Sequence, residues 1–337
     1  MQSGTDSTYD FKPLRGYEHF EATTQIIISE ILNRGLPFEV IDEKNNLIAV
    51  YHHQKEYIIH EGTISDANSL IAFWISNDKW MTKQFLDRHQ ISHAKGRLIH
   101  KNDSASLIQN FKTFPAVVKP TDTDHGIAVS TNIQSQADLK EAVDQAFQHS
   151  DKIIVEEYHS GREFRFLVID FEVRAVAFRE PANVIGDGQN TIASLIEAKN
   201  QNRGEDYTHP LLKIKTDHEA ERHLKNMGRT LSSIPPKNEK VFLRSNSNLS
   251  TGGDSIDVTD EMPDFYKDVA KKSAKAAGLR IAGIDIIIKD TQKKPDPENY
   301  IVVELNAPAM LSMHDFPYKG QNRQVEKYVL DCILNSK

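Results

Sequence analysis

The chain has 337 residues, enough for two or three domains with a sizeable core. Its formal charge is −7, and the sequence does not have the basic face of a nucleic-acid-binding protein. A single cysteine, Cys332, excludes a disulfide framework and any cysteine-based zinc site. No apolar run could span a bilayer and the first residues are polar, so we expect a soluble, cytoplasmic protein that binds neither membranes nor nucleic acid.

The sequence predicts a small α/β unit over residues 16–75, and no residue pattern in it indicates a catalytic or binding role. Apolar side chains at helical spacing predict a helix over residues 20–34, which Gly35 ends. Residues 38–41 are predicted as a strand, and residues 47–60 as a hairpin. A second helix is predicted over residues 77–89, capped by Asn77 or Ser76, with Lys79 and Lys83 one turn apart.

A lysine ends the next predicted strand, residues 114–119. Residues 121–126 then form a polar loop that ends at Gly126, and residues 127–131 are the returning strand. Lys119, at the end of a buried strand and before this loop, suits a phosphate contact. The spacing is not that of a P-loop, and by itself it favours the simpler interpretation of Lys119 as a solvated lysine at a strand end.

The middle of the chain alternates strands with loops that are rich in hydrogen-bonding side chains. A helix over residues 135–149, capped by Ser135, is followed by a strand over 152–156, and residues 164–178 are predicted as a hairpin. The loop over 181–189 has the length of a lid or a binding loop, and a helix follows it over 191–200. A strand over 241–244 leads into a second polar loop that contains Gly252 and Gly253.

Two apolar strands near the end of the chain, residues 284–288 and 300–305, each carry an acid. If these strands pair, Asp285 and Glu304 meet on one face with Asn306 beside them. Carboxylate and amide oxygens are the ligands that Mg²⁺ prefers. The sequence leaves two interpretations open here, a metal site or strand acids that are paired with Lys or Arg. Helices are predicted over 263–277, ended by Gly278, and over 324–334.

Seven sequence blocks occur in the order of a known family: NDKWMTKQFL, VVKP, EEYHSGREFRFLV, REPANVIGDGQNTIASLIEAKN, LRSNSNLSTGGDSIDVTDE, GIDIII and VELNAPAML with the following MH and FPYKG. They resemble the ATP-grasp superfamily of carboxylate–amine ligases. The segment EEYHSGREF resembles the hinge of D-alanine–D-alanine ligases, and the blocks together are most similar to the ATP-grasp parts of bifunctional glutathione synthetases and cyanophycin synthetases. The resemblance covers residues 20–330. It implies an α+β ATP-grasp fold: an N-terminal α/β domain (1–75), a central subdomain (76–155) and a C-terminal subdomain (156–337).

The resemblance also implies roles for individual residues. Lys79 and Lys119 would contact the ATP phosphates, under a flexible loop over residues 121–126 that includes Gly126. The nucleoside would be held by Glu156 at the adenine amino group, by the backbone of Glu157, Tyr158 and His159 at the adenine edge, and by Glu163 at the ribose. Asp285, Glu304 and Asn306 would hold Mg²⁺, with two ions expected and Mn²⁺ as an alternative.

The reaction implied is ADP-forming amide or peptide bond formation through an acylphosphate. Three arginines, each expected to open or end a strand, are candidates for stabilising the negative charge: Arg165, Arg179 and Arg244. D-alanine ligases carry an arginine two residues before the metal aspartate, where this chain has Gly283, so we favour Arg244. A second departure is Pro308, which is the second residue after Asn306. In the related glutathione synthetases the proline is the third residue after the asparagine, so the resemblance does not fix the structure of the acceptor pocket in this chain.

The substrates implied are small molecules, and their identity stays open. A glutathione-synthetase-like enzyme would join a small acyl donor such as γ-glutamylcysteine to a small amino acid. The alternatives are an L-amino-acid ligase, a cyanophycin-like ligase or a peptide-modifying ligase. Nothing in the chain resembles a glutamate–cysteine ligase domain. A non-catalytic ATP-binding module is disfavoured because the expected metal ligands and both lysines are present, and a homo-oligomer is neither predicted nor excluded.

Overall fold

The computed structural model describes residues 11–103, 108–123 and 127–336 and has the mixed α+β architecture with antiparallel sheets that the sequence predicts. The chain divides into two compact units. The first unit comprises the described residues up to 67, residues 173–261 and residues from 308 onwards, and the second unit comprises residues 68–172 and 262–307. The division into segments 1–75, 76–155 and 156–337 stays a prediction.

The first unit contains several helices and three groups of strands. Strands β1 (Phe38–Asp42), β2 (Leu47–His52) and β3 (Lys55–His60) form an antiparallel sheet in sequence order, which confirms the predicted hairpin. Strand β9 (Glu172–Glu180) pairs with β12 (Asp254–Asp257), and β10 (Asn183–Ile185) pairs with β11 (Lys240–Phe242). Its helices are α1 (Ala22–Asn33), α5 (Ile192–Asn200), α6 (His218–Asn226), α8 (Ser312–Asp315) and α9 (Glu326–Leu334).

The second unit carries the predicted nucleotide and metal residues on two groups of antiparallel strands. One sheet has the order β4 (Gly96–His100), β7 (Lys152–Glu157), β5 (Ala116–Pro120), β6 (Ser130–Ile133). The other group has β13 (Ile281–Ile288) between β8 (Arg162–Ile169) and β14 (Tyr300–Asn306). The helices of this unit are α2 (Leu70–Asn77), α3 (Lys79–Arg88), α4 (Gln136–Ala146) and α7 (Asp264–Ala277).

Several short elements differ from the sequence-based predictions. Strands β4, β10 and β12 were not predicted because each is too short for its apolar period to stand out from the neighbouring polar residues. Helix α2 was not predicted because its sequence, LIAFWISN, is apolar on all sides and shows no helical period. Strand β6 begins at Ser130 rather than at residue 127. The cap of α3 is Asp78, whose carboxylate accepts hydrogen bonds from the backbone N–H groups of Trp80 and Met81, and not Asn77 or Ser76.

Apolar side chains from α4 and the four-stranded sheet form one core of the second unit. Leu139 and Val143 of the helix pack with Ile99, Val118 and Ile153 of the strands. This core fixes the strands from which Lys119 and Glu156 project. In the described part of the chain, no helix has both the length and the apolar character needed to cross a membrane.

Candidate functional site

The two strand acids lie opposite each other on neighbouring strands. The register of β13 and β14 pairs Asp285 with Glu304 and Gly283 with Asn306, which confirms the predicted strand pairing. Directly opposed residues of an antiparallel pair have Cβ atoms about 5 Å apart, and residues two positions apart share a face. A register shift follows directly after Asp285, and bulges of this kind often redirect side chains at functional sites.

Arg165 forms a two-pronged ion pair with Asp285. Its strand β8 runs beside β13, in a register that pairs Arg165 with Asp285. The guanidinium donates from Nε to Oδ1 and from Nη2 to Oδ2, the latter over 2.7 Å. Burial by itself would lower the pKa of Arg165, but the negative charges of Asp285, Glu304 and Glu163 raise it. Arg165 lies in the middle of β8, so the expectation that it opens or ends a strand was wrong.

Gly283 leaves the space that the Arg165 side chain occupies. A Cβ atom at residue 283 would lie 2.7 Å from Cδ of Arg165 and 3.0 Å from its Nη1, closer than real side chains approach. A side chain at residue 283 would therefore displace Arg165. D-alanine ligases carry an arginine at the position that Gly283 has in this chain. Here Arg165, from the neighbouring strand, occupies the space beside Gly283.

Lys79 connects the metal-ligand candidates to the predicted phosphate loop. Its Nζ lies 3.7 Å from Oε1 of Glu304 and donates a hydrogen bond of 2.5 Å to the backbone carbonyl of Thr123. Its backbone N–H donates to the carbonyl of Thr121. Lys79 therefore lies between the loop and an acid. Gly126, the predicted end of this loop, is outside the described residues.

Glu156 is a buried carboxylate between two lysines. Its Oε1 lies 2.8 Å from Nζ of Lys119 and its Oε2 lies 2.6 Å from Nζ of Lys83. Burial by itself would raise the pKa of Glu156, but both ammonium groups hold it below its usual range, so the carboxylate is ionised. Lys119 is 5% exposed, which contradicts the interpretation of Lys119 as a solvated lysine at a strand end.

The hinge after β7 keeps one backbone donor available. The N–H of Glu157 donates to the carbonyl of Lys95, and the N–H of Tyr158 donates to that of Pro115. The carboxylate of Glu157 accepts from the backbone N–H of Lys95 and contacts the ring of His159, so this side chain stabilises the hinge itself. Among the described residues, the backbone N–H of His159 has no acceptor, as a donor to an adenine edge requires.

Arg179 and Arg244 lie in the first unit, and both are buried. The Arg244 guanidinium pairs with Asp217 and Glu219 and not with the acids of its own loop, Asp254 and Asp257. Arg179, the penultimate residue of β9, donates to the side chain of Asn248. The roles of both arginines in binding or catalysis stay predictions.

The oxygen donors fit a hard divalent cation. Asp285 and Glu304 supply two carboxylates and Asn306 an amide oxygen, a set that Mg²⁺ and Mn²⁺ prefer. Arg165 and Lys79 now neutralise the two acids, so the alternative interpretation, strand acids paired with Lys or Arg, also describes the protein without metal. In the described ranges, no three His, Cys, Asp or Glu side chains form a cluster that could hold a metal ion, so the candidate set here is two carboxylates and one amide.

Lys83 has no predicted role in the sequence, although the structure places it against Glu156. The one available signal was its spacing, one helical turn after Lys79 on the same face of α3. Nothing in that spacing indicated its partner, because Glu156 lies far along the chain on β7.

Comparisons with known proteins agree on one family. Residues 87–231 match the family described as "D-ala D-ala ligase C-terminus", and residues 18–71 match an "ATP-grasp-like domain". The chain is 40% identical over 327 residues to the glutathione biosynthesis bifunctional protein GshAB of Clostridium perfringens, an alignment that covers 96% of this chain and 42% of that protein. It is 35% identical over 337 residues to the GshAB protein of Mannheimia succiniciproducens, with 96% and 44% covered.

A solved structure gives the same result. The crystal structure of a bifunctional glutathione synthetase from Pasteurella multocida superposes with a TM-score of 0.74 at 32% identity, covering 96% of this chain and 45% of that chain. The chain therefore spans less than half the length of the relatives that it matches.

Proposed function

The chain belongs to the ATP-grasp family, and from this premise we propose that it is an ADP-forming carboxylate–amine ligase. The observation that carries the proposal is the register of β13 and β14, which sets Asp285 opposite Glu304 with Asn306 on the same face. Arg165 and Lys79 lie against these acids, so cationic and anionic groups alternate where a metal–nucleotide complex needs both.

The proposed reaction has two steps. The substrate carboxylate attacks the γ-phosphorus of ATP, which forms an acylphosphate and releases ADP. The amine then attacks the acyl carbon and phosphate leaves, carrying one oxygen of the original carboxylate. Asp285, Glu304 and Asn306 would hold one or two Mg²⁺ ions, which neutralise phosphate charge and align the phosphoryl group.

The residues of the chain act through position and charge. In the proposed site Lys79 and Lys119 bind the phosphates, Glu156 and the backbone N–H of His159 bind adenine, and Glu163 binds the ribose. A charged site of this kind lowers the barrier to phosphoryl transfer because it neutralises the charge that builds up in the transition state.

We assign the oxyanion contact to Arg165 in preference to Arg244. The Arg165 side chain fills the space beside Gly283 and is already paired with a proposed metal ligand. Cation binding at Asp285 would weaken that pair and make the guanidinium available to the developing negative charge. Arg244 is instead neutralised by two acids of the first unit.

We propose a glutathione-synthetase-like substrate class, a small acyl donor such as γ-glutamylcysteine and a small amino acid such as glycine. This choice rests on the names of the relatives, which take part in glutathione biosynthesis. The substrates are free small molecules on this proposal. An L-amino-acid ligase, a cyanophycin-like ligase and a peptide-modifying ligase remain the competing assignments, because the nucleotide residues are common to all of them.

The test is a turnover screen with an isotope readout. The purified chain is incubated with ATP, Mg²⁺ and pairs of amino acids or dipeptides, and ADP and ligated products are measured. With an ¹⁸O-labelled donor carboxylate, we expect one ¹⁸O atom in the released phosphate. ADP formation without ¹⁸O transfer would refute the acylphosphate, and nucleotide binding without any turnover would favour a non-catalytic module.

A further inference from the structure

Lys83 makes one more polar contact than Lys119 within the buried Lys83–Glu156–Lys119 cluster. The Nζ of Lys83 lies 2.6 Å from Oε2 of Glu156 and also donates a hydrogen bond of 2.7 Å to the backbone carbonyl of Ala94. In the described residues, the Nζ of Lys119 has one partner, Oε1 of Glu156 at 2.8 Å. Lys119 can therefore leave the cluster by breaking one ion pair, whereas Lys83 has two contacts.

With both lysines protonated, the three side chains of the cluster carry one more positive than negative charge, and burial lowers the pKa of Lys83 from its usual value. A carboxylate and two ammonium groups are buried together, and an unbalanced buried charge is costly. A phosphate group that binds Lys119 would remove this imbalance. Gly96, which pairs with Glu156 on the neighbouring strand, leaves this side chain its space, since a Cβ at residue 96 would lie 2.5 Å from Cβ of Glu156.

We propose that Lys83 is a positioning residue that keeps Glu156 charged and in place while Lys119 transfers from Glu156 to a nucleotide phosphate. The transfer vacates Oε1 of Glu156, which becomes the acceptor for the amino group of the base. One movement thus prepares both the phosphate contact and the base contact. This inference rests on the proposed nucleotide roles of Lys119 and Glu156, and it adds a residue to which the ligase chemistry itself assigns nothing.

The charge balance of the cluster predicts how the release of Lys119 depends on Lys83. Without the Lys83 ammonium, Lys119 is the one remaining counter-charge of Glu156, so releasing it would leave a bare buried carboxylate. Lys119 should then stay on Glu156, and both nucleotide contacts should weaken together. Neutralising Glu156 in the same protein should release Lys119 again, because the double variant has the same net charge in the cluster as the parent protein.

The experiment measures equilibrium binding of two non-hydrolysable nucleotides, AMP-PNP and GMP-PNP, by calorimetry in the presence of Mg²⁺. For Lys83→Met we expect at least a tenfold loss of affinity for both nucleotides. For Lys83→Met combined with Glu156→Gln we expect GMP-PNP affinity to return to within about threefold of the parent, while the preference for adenine over guanine stays reduced.

The matched control is Lys101→Met. Lys101 lies in the same unit, donates to a backbone carbonyl, that of Phe147, and lies 3.9 Å from the carboxylate of Asp151, but it is remote from Glu156 in the sheet register. We expect parental affinity for both nucleotides in this control. If Lys83→Met does not fold, Lys83→Gln keeps a donor for the Ala94 carbonyl and removes the charge.

Two outcomes overturn the inference. Parental AMP-PNP affinity in Lys83→Met, or in Lys83→Gln, shows that Lys119 does not need Lys83 in order to leave Glu156. A double variant as weak as the single variant for both nucleotides shows that Lys83 acts through general packing. Both tests use binding alone, so a parent protein that binds AMP-PNP but never forms ADP would refute the proposed ligase and leave this inference standing.

Discussion

Arg165 and Arg244 differ in the charges that their guanidinium groups neutralise. Arg165 pairs with Asp285, a carboxylate that the proposed chemistry needs for a cation. Arg244 pairs with Asp217 and Glu219, which lie at the start of helix α6 and have no proposed role in the reaction. Arg165 is therefore paired with a residue of the proposed site and Arg244 is not, which is why we assign the oxyanion contact to Arg165.

Arg165→Lys should reduce kcat about 100-fold and change nucleotide affinity little. Lysine keeps the positive charge but loses the planar fork that binds two oxygens, and one such donor contributes about 3–4 kcal/mol to a transition state. The measurements are ADP release under saturating substrates and calorimetric nucleotide binding. Unchanged kcat in this variant would remove Arg165 from the reacting groups.

Arg244→Lys should lower the melting temperature and leave kcat within about twofold. The guanidinium is almost fully buried and neutralises two acids, and lysine cannot satisfy both with the same geometry. Thermal unfolding and steady-state turnover measure the two effects separately. A large loss of kcat at an unchanged melting temperature would instead return the oxyanion role to Arg244.

Glu304→Gln should abolish turnover, by at least 100-fold, while the fold is kept. The change removes one negative charge from the proposed cation site and preserves the shape of the side chain. Mn²⁺ affinity, measured by electron paramagnetic resonance, should fall in parallel. The matched control is Glu298→Gln, an exposed acid just before β14, which should behave as the parent in both assays. Full activity of Glu304→Gln would exclude Glu304 from the site.

At the scale of single elements, helix α3 positions two of the lysines. Asp78 caps the helix, Lys79 is its first residue and Lys83 lies one turn further on. The helix therefore carries both cations on one face, and its first turn fixes where Lys79 points.

Asp78→Ala should cost about 0.5–2 kcal/mol of stability and also raise the ATP KM severalfold, since the first turn of α3 would fray. Ser135→Ala is the matched control. Ser135 caps α4 through the backbone N–H of Asp138, and no proposed site residue lies on that helix. A comparable loss of stability without a change in KM is expected there. Equal KM effects in both variants would mean that the loss reflects global destabilisation.

At the scale of the whole molecule, a buried acid beside a partly exposed one makes stability depend on pH. Asp315 and Glu326 line a cavity of about 130 Å³ in the first unit. Burial and then the neighbouring Glu326 raise the pKa of Asp315 well above its usual range. The folded state therefore binds a proton that the unfolded state releases, so this group stabilises the protein fully below the ordinary pKa of aspartic acid and loses that contribution as the pH rises towards the folded-state value.

Asp315→Asn should consequently become more stable relative to the parent as the pH rises above about 4, where an unfolded aspartate loses its proton. Asparagine carries no charge and can still accept the hydrogen bond that Val325 donates to Oδ1. The expected gain is about 1.4 kcal/mol for each unit by which folding raises the pKa. Denaturant unfolding of both proteins at several pH values measures it. A difference that is constant with pH would contradict the assigned proton.

The sequence by itself determined the class of the molecule and the identity of its polar groups. The apolar periods of α1, α4, α7, β13 and β14 predicted those elements, because long or β-branched runs leave few alternatives. The positions of Asp285 and Glu304 within apolar strands indicated a charged site, because a buried acid needs a partner. The same reasoning could not choose between a cation and an arginine as that partner.

Only the tertiary structure decided which charges meet. Arg165 reaches Asp285 because β8 and β13 pair in one particular register, and Gly283 leaves the room. Lys83 of α3 and Lys119 of β5 meet at Glu156 of β7, although these three elements are distant in sequence. Spacing along the chain encodes contacts within one element, but contacts between elements depend on strand order, register and the volume that neighbouring side chains leave free.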